Sequence, residues 1–110
     1  MRYFQTKFLE EANLFLGQLT LKAVKKVYYN IDKAEQVNDS SLFKKIHPEL
    51  WEFRTEYSGQ EIRLLAFWDK DDKSNTLVIA TSGFIKKSKR TPKKEIEKAL
   101  KIKLNYFEYK

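Results

Sequence analysis

The chain has 110 residues, 42% of them hydrophobic and 15% aromatic, which suits one domain over residues 1–110 built around a single modest core. It has no Cys and only one histidine, His47, which excludes disulfides, thiolate nucleophiles and a multi-histidine zinc site. Lys and Arg total 22 against 15 Asp and Glu, a formal net charge of +7 that points to a polyanionic partner unless solubility alone accounts for it.

The N-terminal stretch MRYFQTKFLEEANLF carries acidic residues inside its apolar run. It therefore reads as neither a signal peptide nor a membrane span, and the expected compartment is the cytoplasm. Residues 2–5 read as a short edge strand, with Thr6 as an N-cap. Phe8, Ala12, Phe15, Leu16 and Leu19 recur at helical spacing and predict a first helix over residues 7–17. Thr20 caps a second helix, whose apolar face is Leu21, Val24, Val27, Tyr28, Ile31 and Ala34. The two form a helical hairpin with short loops.

VNDSS breaks the helical period, and LFKKIHPEL is irregular and leads into the sheet. The next segment alternates, with Trp51, Phe53, Thr55 and Tyr57 on one face and Glu52, Arg54 and Glu56 on the other. Another alternating run follows, setting Ile62, Leu64, Ala66 and Trp68 against Arg63, Leu65 and Phe67. DKDDKSN is a polar turn, and TLVIATSGFI, β-branched and apolar, is expected to be the central strand. Thr91-Pro92 reads as a helix start, and Ile96, Ala99, Leu100, Lys103, Leu104 and Phe107 give the last helix its inward stripe. The expected class is α+β: an N-terminal helical hairpin packed on a small antiparallel sheet of three to four strands, with a C-terminal helix.

Ser58-Gly59 between the two alternating runs predicts a two-residue hairpin turn. In that register Arg54 lies opposite Arg63 and Glu56 opposite Glu61, and like charges facing each other across a strand pair are unfavourable. The bland account is a solvent face on which carboxylates balance the arginines, each pair worth about 0–1 kcal/mol. Against it, Leu65 and Phe67 share the arginine face. The pattern predicts a shallow concavity with an apolar floor and converging guanidinium groups, suited to bidentate phosphate binding. A second basic constellation, KKSKRTPKK over residues 86–94, follows the last strand. Lys93 and Lys94 fall in the first turn of a helix, where the macrodipole opposes cations but where a bound phosphate is favoured.

LWEFRTEYSGQEIRLLAF followed by VIATSGFIKKSKRTPKKEIEKAL resembles the RelE/ParE toxin superfamily, and is most similar to its HigB-like, phage-derived subfamily. The resemblance spans residues 50–104 and implies the toxin of a type II toxin–antitoxin pair: a metal-independent mRNA endonuclease that acts in the ribosomal decoding site, with no cofactor. It implies attack of a 2′-hydroxyl on the neighbouring phosphate, leaving a cyclic phosphate and a 5′-hydroxyl end. Its implied partners are the ribosome, mRNA and a helix-turn-helix antitoxin. Carried over by position, Arg63 matches the arginine that contacts the scissile phosphate, Arg54 a basic position on the preceding strand, and Lys86 and Lys87 the basic residues after the last strand. Fixed cations there stabilise the charge that a pentacoordinate phosphate gains. Lys44, Lys45, Lys89, Arg90, Lys93 and Lys94 are the expected RNA-binding residues.

For proton transfer Glu52 is the candidate general base, with a role as salt-bridge partner of Arg54 the equal alternative. His47, followed by Pro48, reads as a loop residue, and Tyr106 as one that packs. Two other functions compete: a ParE-like inhibitor of DNA gyrase, and a non-catalytic RNA-binding module. The arginine pair favours the nuclease over the first. The lack of aromatics interleaved on the basic face weighs against the second.

Overall fold

The computed structural model describes residues 2–73 and 76–110. The elements are β1 (Gln5–Phe8), α1 (Glu10–Gly17), α2 (Leu21–Gln36), β2 (Phe43–His47), β3 (Leu50–Tyr57), β4 (Gln60–Trp68), β5 (Leu77–Lys86) and α3 (Lys93–Glu108). The sheet has five strands in the order β1-β5-β4-β3-β2. The α+β class and both helical units are as expected. The sheet is larger than the expected three to four strands, and it is mixed, because β1 runs parallel to β5. The central strand is β4, not β5.

The edge strand expected over residues 2–5 lies instead at Gln5–Phe8, and β2 is unexpected; both differences have physical causes. Phe8 fits a helical period, but residues 5–8 instead pair with β5 from Gln5 opposite Leu77 to Phe8 opposite Ala80. That pairing satisfies backbone groups along the flank of β5, a strand whose middle is buried on both faces. Thr6 thus lies in a strand rather than capping a helix, and α1 starts from Leu9 with no side-chain cap. Glu10 and Glu11 in its first turn complement the helix dipole. In β2, a register shift between Lys45 and His47 breaks the period that would have marked FKKIH as a strand.

The hairpin register is the expected one. Ser58 and Gly59 both have positive φ, 51° and 78°, as a two-residue type I′ turn requires. Tyr57 faces Gln60, Glu56 faces Glu61 and Arg54 faces Arg63. Thr20 caps α2 as expected, accepting a hydrogen bond from the Ala23 N–H at 3.3 Å. The buried face of α2 is Ala23, Val27, Ile31 and Ala34, while Leu21 and Tyr28 are exposed.

The sheet buries both faces. Against α1 and α2 pack Phe53, Ile62, Leu64, Ala66, Val78 and Ala80 with Phe4 and Phe43. The approach of α1 is close: a Cβ on Gly83 would sit 2.2 Å from the Phe15 ring, so a larger residue there would have to displace that ring. On the other face Leu50, Leu65, Phe67, Ile79 and Phe84 pack against α3 through Ala99, Ile96, Leu100, Tyr106 and Phe107. Leu104, expected in that stripe, is exposed. Of the expected DKDDKSN turn, residues 74 and 75 lie outside the described residues. No described helix is long and apolar enough to cross a membrane.

Candidate phosphate-binding groove

The α3 face of the sheet changes character along its length. Its middle, Leu65 and Phe67, is covered by α3 and is not the open apolar floor expected beside the arginines. Beyond the N-terminal end of α3 the face opens into a groove of ≈ 440 Å³. Its walls are Lys44 and Lys45 from β2, Glu52 and Arg54 from β3, Lys86 from β5, and Lys89, Arg90 and Thr91 from the loop before α3.

Beneath it lies the reason two arginines tolerate each other. Strand alternation puts Glu52, Arg54 and Arg63 on one face, and Glu52 is completely buried between the cations. Its Oε1 is 3.3 Å from Arg54 Nε and 3.5 Å from Arg63 Nε. Its Oε2 accepts a 2.6 Å hydrogen bond from the Thr91 hydroxyl. Arg63 also donates through Nη2 to Glu61 at 2.8 Å and through Nη1 to the Ile62 carbonyl at 3.2 Å. A carboxylate shared by two guanidinium groups removes most of their mutual repulsion, and the low local dielectric strengthens the attraction.

The arginines are not equivalent. Arg54 keeps a quarter of its side chain exposed and lines the groove, whereas the Arg63 side chain is 5% exposed. Arg63 Nε is a buried donor without a hydrogen bond, its Glu52 contact being a longer ion pair of 3.5 Å. Such an under-satisfied cation gains most from an added anion.

Thr91 departs from its expected role. The N-cap of α3 is Pro92, with no side-chain cap, and the Thr91 hydroxyl crosses to the sheet instead. It ties the basic loop to Glu52, 39 residues away in sequence. The Ser88 hydroxyl donates to the Arg90 carbonyl at 2.8 Å and tightens the same loop.

The other expected residues divide into two groups. Lys44, Lys45, Lys86, Lys89 and Arg90 gather with Arg54, and among the described residues none of these five makes a salt bridge. Lys87 lies in an adjoining depression with Glu61, Lys86, Ser88 and Lys89. Lys93 and Lys94 are exposed outside both, and Lys93 is 4.0 Å from Glu97. His47, expected in a loop, instead ends β2 opposite Leu50, and its Nδ1 accepts from the Glu49 N–H at 3.1 Å. Tyr106 packs and bonds to Asp69 at the far end of β4. Sequence reasoning missed Thr91 as a site residue, because the Thr-Pro pair has an obvious local use as a cap.

Comparisons with known proteins bear on the family and the fold. The model of the family described as phage-derived Gp49-like protein (DUF891) matches residues 15–103. A structure of Escherichia coli toxin RelE, a double arginine-to-alanine mutant in the free state, superposes with a TM-score of 0.62 at 16% identity, covering 92% of this chain and 97% of that one. No curated protein matches the sequence. By the family model, which spans most of its length, the chain belongs to the phage-derived Gp49-like family, and it carries the RelE fold.

Proposed function

We propose that the protein is the toxin of a type II toxin–antitoxin system, of the HigB-like kind, and that it cleaves mRNA on the ribosome without a metal. The observation that carries this reading is the cationic groove built around the Arg54–Arg63 pair and the buried Glu52, on the fold of the toxin RelE. Ribosome-bound substrate would place its action in the cytoplasm. The antitoxin partner follows from the same family likeness.

In this reading the scissile phosphate enters beside Arg54, and Arg63 approaches it from below. The RNA 2′-oxygen attacks phosphorus while the bond to the 5′-oxygen breaks. The 2′-hydroxyl gives its proton to solvent water in the open groove, and the leaving 5′-oxygen gains one from Lys86. Arg54 and Arg63 stabilise the phosphorane charge. Lys86, half-buried and shared by both depressions, supplies the proton to the leaving oxygen. Lys44, Lys45, Lys87, Lys89 and Arg90 hold the flanking phosphates, with Lys93 and Lys94 adding long-range attraction. Glu52 serves as the anchor of the two arginines rather than as a base, because both its oxygens are engaged and neither meets solvent.

Purified protein mixed with programmed ribosomes should cut mRNA in the decoding site and leave 5′-hydroxyl ends, and the rate should not change when transition metals are added or removed at the fixed magnesium concentration that keeps the ribosomes assembled. Intact mRNA under those conditions, together with supercoiling inhibition in a gyrase assay, would move the assignment to the ParE-like alternative.

A further inference from the structure

A second pocket, ≈ 620 Å³ against ≈ 440 Å³ for the arginine groove, lies at the end of the sheet away from the Ser58-Gly59 turn. Trp51 and Trp68, both half-buried, form its aromatic wall together with Phe107. Its carboxylates are already neutralised: Glu49 by Lys103 at 2.9 Å, and Asp69 by Lys110 at 2.8 Å. Its other two cations, Lys45 and Lys70, make no salt bridge among the described residues. An aromatic wall with two uncommitted ammonium groups at its rim is complementary to a flat heteroaromatic ring that carries phosphate.

The pocket also continues the groove. Lys45 lines both, and the sheet register sets it opposite Trp51, with Lys44 opposite Glu52. Arg54 and Trp51 are three positions apart on β3, about 10 Å at roughly 3.3 Å per residue. Alternation points Trp51 to the opposite face from Arg54, so a single strand with a phosphate on Arg54 reaches the pocket by passing Lys45 at the β2 edge.

We propose that this pocket is a nucleobase subsite, in which a base of single-stranded RNA lies against Trp51 and Trp68 while its phosphate is held by Lys45 and Lys70. The continuity with the groove rests on the nuclease reading above; the affinity for a nucleotide does not. The aromatics absent from the basic face are thus supplied at its border, and the subsite would set which base is tolerated next to the cut.

The chain has two tryptophans and both line the pocket, so intrinsic fluorescence reports on it directly. The intact protein is titrated with AMP, GMP, CMP and UMP, with ribose 5-phosphate and inorganic phosphate as controls. At least one monophosphate should change the emission saturably where the controls do not. The double variant Lys45→Glu, Lys70→Glu should weaken that response about tenfold, as expected for losing two phosphate contacts. Arg54→Ala should leave it unaltered, so loss of cleavage in that variant and loss of base binding are separate results. The proposal is overturned by no response to any monophosphate, by an equal response to ribose 5-phosphate, or by insensitivity to the lysine pair. A response to polyglutamate but to no nucleotide overturns it in favour of an acidic protein partner.

Discussion

Two carboxylates are buried under α3, one at each end of the helix, and they are held differently. Asp69, 1% exposed, accepts the Tyr106 hydroxyl at 2.7 Å, Lys110 Nζ at 2.8 Å and the Asp71 N–H at 2.9 Å. Burial pushes its pKa up, but these bonds outweigh burial and hold it below the usual aspartate value. Burial and the bond to Asp69 push Tyr106 up to about 12, so this phenol stays protonated and serves as a donor, not a base. Glu52 has one short bond, from Thr91, and two longer contacts to arginines at 3.3 and 3.5 Å, beside an open groove. The comparison teaches that burial of a charge is no guide to its role. A saturated carboxylate far from the groove is a lock, whereas a loosely shared one at the groove holds cations ready for another anion.

The largest effect should separate the two ends by function. Arg54→Ala should lower ribosome-dependent cleavage roughly 100-fold or more, the scale of losing one transition-state donor, and cost about 1 kcal/mol of stability, because Glu52 loses its 3.3 Å bond but keeps Arg63 and Thr91. Arg63→Ala should lower cleavage as much and cost more, about 3 kcal/mol, because it strips a partner from a buried carboxylate; denaturant melts read this second effect. Asp69→Asn should show the reverse: about 2 kcal/mol of stability lost by the same melts, with cleavage per folded molecule retained.

Glu52→Gln sharpens the contrast. As an anchor, the amide keeps the shape and the Thr91 contact, and cleavage should fall by roughly tenfold at most with an unchanged pH profile; a general base would cost on the order of 100-fold or more. Thr91→Val leaves Glu52 Oε2 without its donor and should cost about 1 kcal/mol, together with a several-fold rise in KM as the basic loop loosens. The smallest effect is in acid stability. The Asp69 pKa is depressed in the fold, so its contribution is complete above the unfolded value near about 4 and fades as pH falls through the folded one. Melts below roughly pH 4 should show that loss in the parent protein and a flatter curve in Asp69→Asn.

Much of this architecture was legible because it is local. Ser58-Gly59 set the hairpin register, and two-residue alternation then put Arg54 opposite Arg63 and Glu52 beside them. Thr20 announced α2. What stayed hidden depends on distant chain. The pairing of β1 with β5 joins segments about 70 residues apart, each satisfying the other's backbone. The bulge in β2 erased its period. The burial of Arg63 and the covering of Leu65 and Phe67 follow from where α3 docks, and the Thr91 hydroxyl had a local use that the sheet outcompeted.

The most direct test is to express the chain and its Arg54→Ala variant under tight control and map mRNA 5′ ends in the cells by primer extension. The account predicts new ends inside translated frames, carrying 5′-hydroxyls, that are absent from untranslated RNA and from cells making the variant. Growth arrest without such ends, or equal cleavage by the variant, would contradict it.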